Sequence, residues 1–177
     1  MFKNCFDIIE INLTNFDTSL VVNMHNMFER CTSLISLDLS NFNTSNTIVM
    51  NSMFDHCTSL TYLDLSNFNT NQVKEMYYMF LDSINLRYIN FSGFIENENL
   101  GVCDIFKGLA DNLVICINER NNKIISELKM KSCYAIDCSD NWMSNQKQIV
   151  NVTGICYDIN NNDIQFLYEY KGIYYEH

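Results

Sequence analysis

Proline is absent, so nothing marks a stiff linker between domains. Glycine is scarce. Gly93, Gly101, Gly108, Gly154 and Gly172 never fall into GxGxxG or GxxxxGK spacing, which excludes the common phosphate-cradling loops. Basic residues number 11 against 21 acidic ones, a formal charge of −10. That balance excludes nucleic acid, whose phosphates need a basic face, and disfavours an anionic membrane surface. No apolar run approaches the roughly 20 residues that cross a bilayer. The opening MFKNCFDIIEINL lacks the basic start, continuous apolar stretch and small-residue cleavage site of a secretion signal. His25, His56 and His177 share no repeat position, and no Ser or Cys stands in a nucleophile motif, so a hydrolase reading is weak. No pattern implies a cofactor, and an enzyme is not expected.

What the chain has is periodicity. At 177 residues with 47% hydrophobic and 18% charged residues, it is long enough for one folded domain. Met-Phe recurs at Met1-Phe2, Met27-Phe28, Met53-Phe54 and Met79-Phe80, with a degenerate copy at Ile105-Phe106, each step being 26 residues. A second phenylalanine column runs through Phe16, Phe42, Phe68 and Phe94, and a leucine column through Ile8, Leu34, Leu60 and Leu86. Leu37-Asp38-Leu39 alternates as a half-buried strand does, with counterparts at Ile11/Leu13, Leu63/Leu65, Ile89/Phe91 and Ile115/Ile117. Val73, Met76, Met79 and Phe80 are spaced as a helical stripe, with Asn, Thr and Ser clusters as turns and caps between. The expected fold is α/β. It is a leucine-rich-repeat-like solenoid with a parallel sheet, one strand and one short helix per 26-residue turn, covering residues 1–118. A small cysteine-containing cap over residues 119–177 is expected to cover its last turn and to begin an eroded or truncated tail. Met1 stands in register with the repeats, which reads as about four and a half turns of a longer array. An uncapped first turn would expose a strand edge and apolar interior, so self-association there is an expectation.

Candidate site residues fall into columns. Cys5, Cys31 and Cys57 share one, read as a ladder of small buried thiols in preference to a metal site. Cys103, Cys116, Cys133, Cys138 and Cys156 lie mostly beyond the repeats. Cys116, Cys133, Cys138 and Cys156 read as disulfide candidates stapling the cap in an oxidising compartment. Their connectivity is open, and zinc is disfavoured by the lack of a CxxC pair. On the polar side of the strands one column runs Glu10, Ser36, Tyr62, Tyr88, the next Asn12, Asp38, Asp64, Asn90, and a third Thr14, Ser40, Ser66, Ser92. Asp38 and Asp64 would lie about 4.8 Å apart along the sheet. They would accept turn amides, bridge a cation, or join exposed Tyr62 and Tyr88, with Ser36 and Asn90, in a partner-binding face. Asn12, Asn43, Asn90 and Asn151 head Asn-x-Ser/Thr triplets, and glycans on Asn12 and Asn90 would crowd that face.

The copies MFERCTSLISLDLSNFNTS and MFDHCTSLTYLDLSNFNTN resemble the BspA-like leucine-rich repeat surface proteins over roughly residues 1–118. The tail residues Cys116, Cys133, Asp137, Cys138, Asn141, Trp142 and Cys156 are similar, more loosely, to the stretch that follows such repeats in AT-rich eukaryotic microbes. There it leads into cysteine-rich modules, whereas YKGIYYEH here departs from the pattern. The resemblance implies an extracellular or surface-displayed protein that adheres to or recognises a protein or glycan, from host or matrix, without catalysis. The competing reading is an intracellular interaction scaffold or a decayed fragment of a larger surface protein.

Overall fold

The computed structural model describes residues 1–110, 113–118, 120–131, 133–136, 138, 153–157 and 163–167. Its regular elements are β1 (Tyr62–Asp64), β2 (Tyr88–Phe91), β3 (Leu113–Ile117), α1 (Asn122–Leu128), β4 (Cys133–Ile136), β5 (Thr153–Tyr157) and β6 (Asp163–Leu167). They form an α/β arrangement with one sheet in the order β1-β2-β3-β4-β5-β6. Pairing is parallel from β1 to β4, with Tyr62 opposite Tyr88 and Tyr88 opposite Val114, one 26-residue step each. It turns antiparallel from β4 to β6.

Strands β1, β2 and β3 occupy three of the expected strand positions. The earlier copies, around Ile11–Leu13 and Leu37–Leu39, carry no assigned strand. Tyr88, Ile89 and Phe91 in β2, and Val114 with Ile115 and Ile117 in β3, are aromatic or β-branched and favour a pleated backbone. Ser36, in the column where β1 has Tyr62 and β2 has Tyr88, does not.

The expected helix in every turn is corrected. Among the described residues the one α-helix is α1, and Val73–Phe80 is a run of tight turns with a bridge at Glu75. The reason is where the backbone amides go. Met24, Asn26, Phe28 and Arg30 donate their N–H groups to the carbonyls of Val49, Asn51, Met53 and Asp55, each 25 residues on. Met50, Ser52, Phe54 and His56 do the same toward Glu75, Tyr77, Met79 and Leu81, and Met76, Tyr78, Phe80 and Asp82 toward Gly101, Cys103, Ile105 and Lys107. A helix would have to take those donors back into the chain's own preceding turn. The backbone also steps through positive φ at Asn26, Ser52, Tyr78 and Asp104, and again at Asn4, Arg30, His56, Asp82 and Gly108. Two left-handed residues per copy break any helix.

Side chains extend the same ladder. Thr44, buried, donates its hydroxyl to the carbonyl of Asn69 at 3.1 Å and accepts from that residue's N–H at 2.8 Å. Thr18 treats Asn43 alike, and Thr70 treats Ile95 alike. The Nδ2 of Asn41 reaches back to the carbonyls of Leu13 and Phe16, and that of Asn67 to Leu39 and Phe42. Gly93 follows in that column, where a Cβ would collide with the carbonyl oxygen of Ser66.

The apolar interior is stacked on the same period. Phe28, Phe54 and Phe80 lie with ring centroids 5.7 Å apart and planes within 3°. Phe42, Phe68 and Phe94 stack at 6.4 Å in a second column. Leu34, Leu60 and Leu86, with Met53, Met76 and Met79, fill the space between and are fully buried. Removing the Phe54 ring should cost about 3–5 kcal/mol of unfolding free energy, read from urea denaturation. Thr44→Val, nearly isosteric, should cost roughly 1–3 kcal/mol because it strands the amide of Asn69. A Thr44→Val midpoint equal to wild type would show that the hydroxyl ladder is dispensable.

Candidate functional site

The polar columns of the sheet side change character along the chain. Ser36 and Asp38 are exposed, Tyr62 and Asp64 half-buried, and Tyr88 and Asn90 buried at 4% and 3% exposure. Val114 and Cys116, their register partners on β3, are buried as well. A disulfide joins Cys116 to Cys138, with Cα atoms 4.5 Å apart and a sequence separation of 22. It ties the chain leaving β4 to the row of Asn90 and Cys116, at the buried end of this face.

The expected binding face therefore needs correction at one end. Tyr88 and Asn90 are withdrawn from solvent, and Asn90 is too buried to carry a glycan. Asn12 and Asn43 are exposed, and Asn151 lies outside the described residues. Tyr62 lies flat on Tyr88, with centroids 5.6 Å apart and planes within 2°, and its hydroxyl donates to Asp64 Oδ2 at 3.2 Å. Burial, the charge of Asp64 and that hydrogen bond push the Tyr62 phenol above its ordinary value.

What remains open is a shallow groove of about 380 Å³. Its polar lining includes Ser36, Asp38, Ser40, Tyr62, Asp64 and Ser66. Each carboxylate also has a local duty. Asp38 Oδ1 accepts the N–H of Ser40 at 2.9 Å, and Asp64 Oδ1 that of Ser66 at 2.9 Å. Asn12 does this for Thr14 and Asn90 for Ser92, so neutral amides close the same turn. Hydrogen bonds from Ser40 hold the Asp38 carboxyl below its ordinary 3.8, as those from Ser19 do for Asp17. Among the described residues no group of three or more His, Cys, Asp or Glu side chains is placed to hold a metal ion.

The cysteine column is interior at Cys31 and Cys57 and half-buried at Cys5. Cys31 Sγ donates to the carbonyl of Phe2 at 3.2 Å and Cys57 Sγ to that of Phe28 at 3.1 Å. Ser83, next in the column, donates to Phe54 at 2.6 Å and also accepts the N–H of Cys57 at 2.9 Å. Burial, followed by the influence of Cys5, pushes the Cys31 thiol up to about 11, and burial pushes Cys57 higher still. Cys103 is free and exposed. At the first turn Phe2, Cys5, Ile8 and Phe16 are only partly buried, while Met1, Phe6 and Ile9 are exposed. No described helix is long and apolar enough to cross a membrane.

Sequence reasoning missed the threonine and asparagine ladders that bind one copy to the next. Their signal was present as Thr18, Thr44 and Thr70 on the 26-residue period.

The family described as Mycoplasma protein of unknown function, DUF285, matches residues 1–98, consistent with a BspA-like repeat protein. No curated protein and no solved structure matches the chain.

Two outcomes follow for this region. Iodoacetamide applied to the native protein at pH 8 should modify Cys103 at once and leave Cys31 and Cys57 untouched until denaturant is added. Rapid labelling of Cys57 in peptide mapping would mean that the column is not interior. A lowered folded carboxyl value stabilises above the unfolded value of 3.8 and is lost as pH falls through the folded value. Asp38→Asn should therefore leave stability unchanged below that window and reduce the loss measured on acidification from pH 5 to 2.

Proposed function

The chain belongs to the DUF285 family, and from that premise we propose that it is a non-catalytic, surface-displayed recognition module that binds a protein or glycan partner. The observation carrying this reading is the open end of the sheet side, where Ser36, Asp38, Tyr62 and Asp64 line an accessible groove. Serine and aspartate offer donors and acceptors to hydroxyl-rich or basic ligands. The Tyr62 ring supplies a rigid apolar plane of the kind that anchors interfaces. The finer architecture proposed is a leucine-rich-type solenoid in which successive 26-residue copies stack. The amide ladders and phenylalanine columns support it. The same reading places the protein outside the cell, supported by the disulfide between Cys116 and Cys138.

Two measurements test this. A membrane-impermeant amine label on intact cells should mark the native protein; its absence there would favour an internal scaffold or a decayed fragment. The purified chain should then bind a subset of arrayed extracellular-matrix proteins and glycans. Ser36→Arg, a change at an exposed position, should weaken that capture roughly tenfold without lowering the unfolding midpoint. Capture indifferent to Ser36→Arg and Asp38→Ala would remove the groove as the binding site.

A further inference from the structure

The backbone register of the cap brings together two more cysteines. β4 and β5 pair antiparallel, with Cys133 directly opposite Cys156 and Tyr134 opposite Ile155. Directly opposed residues in an antiparallel pair share a face of the sheet, with Cα atoms about 4.5 or 5.5 Å apart according to which kind of pair they form. Either separation lies inside the roughly 4.4–6.8 Å range that a disulfide spans. We propose that Cys133 and Cys156 are a disulfide-forming pair, a second cross-link that fastens β5 to β4 and closes the cap.

The sequence order gives this link a particular consequence. Cys116–Cys138 encloses Cys133, and Cys133–Cys156 encloses Cys138, so the two loops overlap along the chain. The first bond fixes the segment containing β4 to β3, the last strand of the repeat period. The second hands that anchorage on to β5, where the sheet has changed from parallel to antiparallel and the 26-residue ladder no longer operates. Covalent bonds would thus take over where the repeating hydrogen bonds stop.

The chemistry is thiol–disulfide exchange. The thiolate of one cysteine attacks a disulfide-bearing oxidant and expels one of its sulfurs as thiolate, forming a mixed disulfide. The second cysteine, deprotonated, attacks the protein sulfur of that mixed disulfide and expels the other half of the oxidant. Two thiols lose two protons and two electrons, and the oxidant is reduced to two thiols. This inference rests on the surface reading only in that an oxidising compartment supplies the oxidant.

The full chain should be oxidised in a buffer containing glutathione disulfide, alkylated without reductant, and digested with trypsin and Asp-N. Asp137 stands between Cys133 and Cys138, so Cys116, Cys133, Cys138 and Cys156 each fall on a separate peptide. The expected result is a Cys133–Cys156 linked pair, lighter by two hydrogens than its reduced peptides, alongside the Cys116–Cys138 pair. In Cys133→Ser, Cys156 should become fully alkylated while the Cys116–Cys138 pair persists. Alkylation of both Cys133 and Cys156 while Cys116–Cys138 forms would overturn the inference and leave the surface reading, judged by cell labelling, standing. Pairing of either cysteine with Cys116, Cys138 or Cys103, or alkylation of all four, would overturn it as well.

Discussion

A copy of 26 residues in this chain does not satisfy its own backbone. Its alternate amides from Met24 to Arg30 point at carbonyls 25 residues away, and the buried Thr18, Thr44 and Thr70 bridge the same gap with their side chains. An unpaired buried amide or carbonyl costs about 1–3 kcal/mol, so every copy depends on having the next one in register. Slipping the register by one residue would separate these partners and the phenylalanine columns together. That joint requirement explains why the period is kept so strictly while the solvent-facing residues vary. It also accounts for the two left-handed columns, since the backbone must turn sharply within each copy to present its amides to the next.

The same requirement shows how substitutions in the columns are tolerated. Ser83 replaces a cysteine and keeps its hydrogen bond to the carbonyl 29 residues earlier, while adding one from the amide of Cys57. At the last repeat Asn121 takes the bridging role, accepting the N–H of Glu96 at 3.0 Å and donating to the carbonyl of Phe94 at 3.1 Å. Occupied in that way, Asn121 makes no side-chain cap for α1. The carboxylate of Glu96 instead accepts the amides of Lys123 and Ile124 at the first turn of α1. The helix appears where the ladder to a following copy ends, which is where its amides can turn inward.

The period, the buried columns and three of the parallel strands were legible in the sequence, because they depend on which residues are apolar and how far apart they recur. The helix was not. Val73, Met76, Met79 and Phe80 keep three-to-four spacing whether the backbone coils or steps through paired turns, so periodicity alone does not separate the two. Glycine, the usual sign of positive φ, stands at only one of those positions, Gly108; the others are Asn, Arg, Ser, His, Tyr and Asp. The site was legible in part. Columns of polar residues could be written down, yet Tyr88 and Asn90 lie opposite Val114 and Cys116 of β3 and are buried, which a column of residue types does not reveal. The Cys116–Cys138 bond is likewise a property of the cap, where β3 to β4 steps by 21 residues between Leu113 and Tyr134 instead of 26.

Stability and surface chemistry are carried by different columns here, and that division leaves the open end of the sheet side free to vary. Asn12, Asp38, Asp64 and Asn90 are held to Asx-type residues because each closes a turn through the amide two positions on. The preceding column has no such duty, and it runs through Glu10, Ser36, Tyr62 and Tyr88 without preserving size, charge or polarity. Copies locked by their interior amides, threonines and phenylalanines leave that column free to change without loss of register. Tyr62 and Tyr88 mark the limit of that freedom. Their rings stack on each other as the interior rings do, and where Tyr88 lies opposite Val114 of β3, the freely varying column becomes part of the core.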